Sequence, residues 1–444
     1  MIRPLPAALA LCVCAFLAYP AETENETLLP PAQRILQIRD TVYTVPQGYY
    51  LFEELHINSG GLIAGEGTHV IHRGVFKSGP AHGGENPPGS KMVLRDGATW
   101  TQGEDMPFHF ACALDGDYQH AHDHHLLVTG TTPDGKKPTK LDLNYGSFIV
   151  GGLRNDRTTS RNNSVTISDG ALLDKTAVFL AHAQGGDRGS ITLSGGARVN
   201  AFSTSVAYES GGSGNTITIT GEGTVWDNGN GFFNVGSTRG GTPATRNSVL
   251  VKDKAKLLNV GNLSIGSRSG DNGNYVSGNK LTIAGGGEVL TSWGDVSVGY
   301  CSGGADMTDN ALVLEEGGRL VTKGRISIGA SSESSRNNML SLRGGEISAA
   351  NLSIHTANNL EVVIGPTGTK PVMIEENARF STGARIIARC DDAEMAGRFH
   401  PIIECGGKII NIDDVLLKSP QPEYESKIQL SEDGKTLSLG VFKR

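Results

Sequence analysis

The sequence is poor in aromatic residues, at 6%, and in charge, with Asp, Glu, Lys and Arg together at 19%. The usual charged share is near 25%, so Ser, Thr, Asn and Gly must cover much of the surface. No stretch is dominated by strong helix formers, which excludes a long coiled coil. The 60 glycines follow no three-residue period, which excludes collagen. The 39 basic residues are outnumbered by 46 acidic ones, so a nucleic-acid-binding surface is not expected. What is abundant is glycine, at about twice its usual share, between short apolar alternations.

Arg3 precedes an apolar run over residues 5–18, with small residues at Ala15, Ala18 and Ala21 and polar sequence from Glu22. This predicts a signal peptide over residues 1–21, and hence an exported chain in the periplasm, at the cell surface or outside the cell. The run is shorter than the ~20 residues that a membrane span needs. No later segment reads as a span. In an oxidising compartment a disulfide between Cys390 and Cys405 is expected.

A repeat organises the rest. Ser164-Val-Thr-Ile-Ser, Ser190-Ile-Thr-Leu-Ser, Thr216-Ile-Thr-Ile-Thr, Ser248-Val-Leu-Val-Lys, Lys280-Leu-Thr-Ile-Ala, Ala311-Leu-Val-Leu-Glu and Met339-Leu-Ser-Leu-Arg each place apolar residues two apart, the strand period. A glycine-rich corner follows, then another apolar residue, then a third strand such as Leu263-Ser-Ile-Gly266 or Val296-Ser-Val-Gly299. Fainter units precede these at Met92-Val-Leu94 and Leu126-Leu-Val128. The spacing is constant on one side of each unit. It varies after the third strand, from 11 residues between Leu180 and Ile191 to 16 between Ile265 and Leu281. Coils stacked on one core behave this way, because inward residues stay in register while an outer loop grows. The expected fold is all-β: a right-handed parallel β-helix of about ten coils with three short strands each. It is placed at residues 64–364, with an N-terminal segment and cap at 22–63 and a C-terminal β cap at 365–444. Asn163, Asn215, Asn247, Asn279, Asn310 and Asn338 precede the first strand of their units, which predicts a ladder of stacked amides.

The pattern from Gly278 to Gly287, with its Ser-Ile-Gly or Ser-Val-Gly third strand, resembles the repeats of bacterial autotransporter passengers in the pectin-lyase-like β-helix group. The resemblance covers about residues 90–364. The tail, Gly397 to Ile403 and Leu430 to Gly440, is similar to the β-segments that end such passengers. The membrane barrel that accompanies autotransporters is not expected here. The resemblance implies architecture more than activity, and no catalytic residue is assigned from it.

Three candidate sites emerge. Nine of the twelve histidines precede residue 126, and four fall in Asp117-Tyr-Gln-His-Ala-His-Asp-His-His125. In an extended segment His120, His122 and His124 would share one side, with Asp123 nearby, as a divalent-metal site. A solvated polar loop is the other reading of that segment, and no cofactor is required. Secondly, the long loops after the third strand should form one ridge along the rod. Arg154, Arg157, Arg161, Arg239, Arg246 and Arg268 would make that ridge a cationic stripe, suited to multivalent binding of a polysaccharide or cell-surface polymer. Thirdly, polysaccharide lyases and glycosidases need clustered carboxylates. The only adjacent aspartate pairs are Asp391-Asp392 and Asp413-Asp414, in the C-terminal region. The expected role is therefore structural or adhesive, without catalysis, and the alternative is a carbohydrate-active β-helix enzyme.

Overall fold

A computed structural model describes residues 35–78, 89–112, 120–152, 159–181, 186–208, 211–238, 243–268, 275–301, 306–330 and 334–444. These form a parallel β-solenoid. Its first face is a 14-stranded sheet whose strands stack in chain order from Thr41–Val45 to Leu416–Lys418. All seven repeat segments lie in that sheet as consecutive strands. Val165, Ile191, Ile217, Val249, Leu281, Leu312 and Leu340 are partners in one inward column. The two-residue apolar period therefore becomes one wall of the core, with Ser and Thr on the other side in the coils of Val165, Ile191 and Ile217.

The other two strands of each coil belong to a 27-stranded sheet. In one coil, Val225–Asp227 stacks on Lys256–Val260 and Phe233–Thr238 on Leu263–Arg268. One continuous apolar core runs from Ile38 to Val441. Its N-terminal part holds a row of rings, with Phe76 stacked on Phe108 at 4.0 Å and Phe148 tilted against Phe108 at 5.7 Å.

Two features depart from expectation. A fourth, very short ladder precedes the asparagines: Gly212–Ser213, Ala244–Thr245, Val276–Ser277, Met307–Thr308 and Ser335–Arg336 stack in register. The solenoid also extends beyond residues 64–364 in both directions. Thr41–Val45 and Gly60–Ala64 are its first strands on the 14-stranded face, within the segment expected to cap it. Arg385–Cys390 and Leu416–Lys418 continue the same face into the expected C-terminal cap. The ladder ends where Thr436–Lys443 pairs antiparallel with both Phe399–Cys405 and Tyr424–Leu430. That hairpin seats Leu437, Leu439 and Val441 on the core and stops strand addition at this end. Among the described residues no helix is long and apolar enough to cross a membrane.

Candidate functional site

The corner between the short fourth ladder and the 14-stranded sheet is where the loops meet a geometry repeated from coil to coil. Asn215, Asn247, Asn279, Asn310, Asn338 and Asn358 are buried there in one column. Each Nδ2 donates to the Oδ1 of the next asparagine at 2.9 Å. The same Oδ1 accepts the backbone N–H of the asparagine before it, at 3.0–3.2 Å. The second Nδ2 hydrogen of Asn215 goes to the carbonyl of Gly186, and those of the later asparagines go to carbonyls of the fourth ladder, such as that of Gly212, Ala244 or Val276. Every interior amide is thus satisfied away from water, which is the condition for burying it at all. Asn358 completes the ladder beyond the repeats that sequence alone revealed.

The same ladder fixes where the described histidines of this segment lie. Asp123 takes a left-handed φ of 60°, the conformation that Asn162, Arg188, Arg246, Asp309 and Asn337 also adopt just before their own ladder positions. The reversal at Asp123 breaks the alternation that would have put His120, His122 and His124 on one side. Ala121 is buried and its neighbour His122 is partly exposed, whereas His124, beyond the turn, points into the core. His120 pairs by its backbone with Thr159, and its side chain lies outside the described residues. His124 itself behaves as a rung: its Nδ1 accepts the N–H of Ser90 at 3.1 Å, and its own N–H donates to Asn163 Oδ1 at 2.9 Å. Burial pushes its pKa down to about 4, so it is neutral. Among the described residues no group of three His, Cys, Asp or Glu is placed to hold a metal ion.

The loop ridge is partly visible. The long excursions leave the third strand and return to the fourth ladder, so their bases form a row along the axis. Arg154, Arg157 and Arg239 lie outside the described residues. The backbone of Arg268 pairs with Cys301, but its side chain is not among those described. Arg161 faces Asp187, with Nε to Oδ2 at 3.9 Å, and Arg246 shares its turn position with Arg188, Asp123 and Asp309. Arg336 pairs with Asp306 at 3.3 Å. Among the described residues this corner carries both signs, and the side chains of four of the six arginines expected to form the cationic stripe lie outside them.

The expected Cys390–Cys405 disulfide is absent, and all four described cysteines are free. Cys390 lies on the 14-stranded sheet beside Ile364, while Cys405 lies on the other sheet beside Ile374. Cys390 Sγ instead donates to the carbonyl of Asp392 at 3.0 Å. Burial raises the pKa of both thiols.

Two charged clusters were not legible in the sequence. Asp142, Asp174, Asn200 and Asp227 are register partners on successive coils. Lys140 Nζ bridges Asp142 and Asp174 at 2.8 and 2.9 Å, Lys175 reaches Asp142 at 3.2 Å, and Asn200 Nδ2 donates to Asp174 at 2.9 Å. Burial works against charge at Asp142, yet the two ammonium groups hold its carboxyl below the ordinary range. These aspartates are far apart in sequence and follow no shared motif, so only the strand register could have revealed them. The second cluster is buried Glu361, whose two oxygens meet Arg343 Nη2 and Arg389 Nε at 3.1 Å each. Ser341 Oγ donates to the same carboxylate at 2.6 Å. Both arginines, with Glu316 and Asp391, line a cleft of about 280 Å³ beside the Gly365–Gly368 turn.

A scan against protein-family models and a search of the curated proteins found no match.

Proposed function

We propose that this chain is an exported, surface-associated β-solenoid of bacterial origin. In this reading it has the character of an autotransporter passenger in the pectin-lyase-like group, and it acts as a structural or adhesive element that binds a polysaccharide or surface polymer without chemical change. The observation that carries the reading is the row of loop bases on the fourth ladder. It repeats one recognition position at each coil, about 4.8 Å apart. A repeated weak contact gains strength only on a partner that is itself repetitive and extended. Loops carried on a rigid stack can vary in sequence without disturbing the core.

One observation favours a second reading. Carboxylates on adjacent coils, as at Asp142 and Asp174, with Lys140 and Lys175 beside them, are the kind of grouping from which carbohydrate-active sites on stacked strands are built. The experiment that separates the two is incubation of the protein from about Glu22 with acidic and neutral polysaccharides, with Ca²⁺ and with chelator. Retention with unchanged chain length supports binding. Shortened chains assign an enzyme, and substitution of Asp142 and Asp174 then locates it. No retention and no cleavage leaves a scaffold role and refutes both.

A further inference from the structure

A different corner of the coil, between the two strands of the larger sheet, carries four of the nine exposed aromatic side chains among the described residues. Tyr145, Phe202, Phe232 and Trp293 are 58%, 41%, 59% and 61% exposed there. Large aromatic side chains normally bury most of their area, and this chain has few of them, so four on one edge require a reason. The register places them. Phe148, Val178, Thr204, Phe233, Leu263 and Val296 are partners on successive coils, and each ring stands one to three residues before a member of that column. Along the axis the rings therefore occupy the first, third, fourth and sixth of these coils, a span of about 24 Å at the usual strand spacing.

Close backbone packing makes the edge rigid. A Cβ at Gly231 would collide with the carbonyl of Phe202, one at Gly261 with that of Asn230, and one at Gly294 with that of Gly261. Because no side chain fits at those turns, the flanking rings stand clear of the surface on a floor of backbone. The neighbouring positions are polar. Asp142, Asp174, Asn200 and Asp227 run beside the rings on the adjoining strands, with Asn259 Nδ2 donating to Asp227 at 2.9 Å.

We infer that this edge is a binding strip for an extended, uncharged polysaccharide, with the rings stacking on the apolar faces of successive sugars and the Asp and Asn side chains accepting from and donating to their hydroxyls. The inference rests on the polymer-binding reading above and moves the contact away from the loop ridge. Three features select the ligand. The rings form a narrow row flanked on the adjoining strands by Asp and Asn, whereas a protein partner needs a broad apolar centre. Their separations are whole multiples of one coil, which suits a chain of repeating units. Lys140 and Lys175 offset Asp142 and Asp174, so the strip has no excess of positive charge to draw a polyanion and suits a neutral chain.

The sequence supplies a direct probe. Of the three tryptophans, Trp100 and Trp226 are fully buried and only Trp293 is exposed. Quenching of the exposed emission by acrylamide therefore reports on Trp293 alone. The test measures this quenching, and retention in gels containing a soluble β-1,4-glucan, β-1,3-glucan, mannan or xylan, with polygalacturonate as the polyanion. At least one neutral chain should protect Trp293 and retard the protein. Phe232→Ala and Trp293→Ala should each weaken retention about tenfold, the scale of losing a central aromatic contact. Trp293→Phe should keep most of it and Trp293→Leu should not, because flatness and not mere hydrophobicity is required. Unchanged retention in the Phe232→Ala/Trp293→Ala double variant overturns the inference, and if Arg246→Glu abolishes retention in the same assay the loop ridge is the binding site instead. Retention by polygalacturonate alone also overturns it. Failure of the wild type to bind any of the polymers overturns both this inference and the binding reading beneath it. Thermal unfolding of each variant, expected to match the wild type at these exposed positions, shows that the fold is intact.

Discussion

Gly266 and Asn310 sit on consecutive coils so close together that a Cβ on Gly266 would collide with the Asn310 side-chain amide. Gly236 meets Asn279 in the same way, Gly299 meets Asn338, and Gly329 meets Asn358. The final glycine of the Ser-Ile-Gly strand is thus the seat of the asparagine one coil further on, and the two most regular features of the repeat are one device. Gly266 also has a φ of +63°. Gly266→Ala should therefore lower stability by more than about 2 kcal/mol, combining left-handed strain with displacement of a buried amide. Gly196, also left-handed but with open space around its Cβ position, is the control. Gly196→Ala should cost only about 1–2 kcal/mol. Urea midpoints of the two variants check the difference, and equal values would remove Asn310 from the explanation.

Within the ladder, Asn279 makes four contacts. Its Oδ1 accepts the backbone N–H and the Nδ2 of Asn247, and its Nδ2 donates to Ala244 and to Asn310. Asn279→Ala leaves several buried partners without replacements, at about 1–3 kcal/mol for each group left unsatisfied. The expected loss is at least about 3 kcal/mol. Asn279→Asp should be worse, because the new carboxylate keeps the acceptors, loses both donors and buries a charge. Denaturant unfolding of the two variants gives the order.

The apolar alternation, the amide column and the side of the coil that takes the insertions were all legible because each depends on local period, and a stacked coil converts period directly into register. Val165 and Leu340 lie in one wall for no reason beyond their place in the repeat. The Asp142–Asp174–Asp227 column was illegible because outward positions carry no constraint of residue type, so register places them together without leaving a sequence pattern. His124 misled for the opposite reason. Its spacing from His122 assumed an unbroken strand, and the left-handed turn at Asp123 depends on stacking beneath Gly89 and Asn163, which one segment does not reveal. Glu361 was missed because its two arginines come from the coils on either side, at Arg343 and Arg389.

Buried histidines give the chain a specific acid sensitivity. Burial pushes both His72 and His124 down to about 4. Their unfolded values lie near 6.5. Between those values the unfolded chain binds more protons than the folded one, so stability falls as pH falls from about 6.5 to about 4. Each shift corresponds to roughly 3 kcal/mol at the acid end. His124→Asn replaces the rung with the residue used elsewhere in the column. It should keep the fold at neutral pH and reduce the loss across that window, leaving the His72 share. Thermal midpoints of both proteins from pH 7 to pH 4 test this. Parallel curves would show that His124 does not titrate with unfolding.

Glu361 holds two arginines that would otherwise repel one another beside the cleft at the Gly365–Gly368 turn. Both guanidinium groups are about half exposed, whereas the carboxylate between them is buried. Removing the shared partner and removing one sharer should therefore differ. Glu361→Ala strands Arg343, Arg389 and the Ser341 hydroxyl at once, with an expected loss of about 3 kcal/mol. Arg343→Ala leaves Arg389 on the carboxylate and lets water reach the vacated oxygen, so its loss should be about 1 kcal/mol. The Glu361→Ala/Arg343→Ala double variant should be no less stable than Glu361→Ala alone, since Arg343 has already lost its partner. Urea unfolding of the three variants closes the cycle. Additive losses would mean that the two residues do not interact, and that the ion pair contributes nothing to holding this end of the solenoid together.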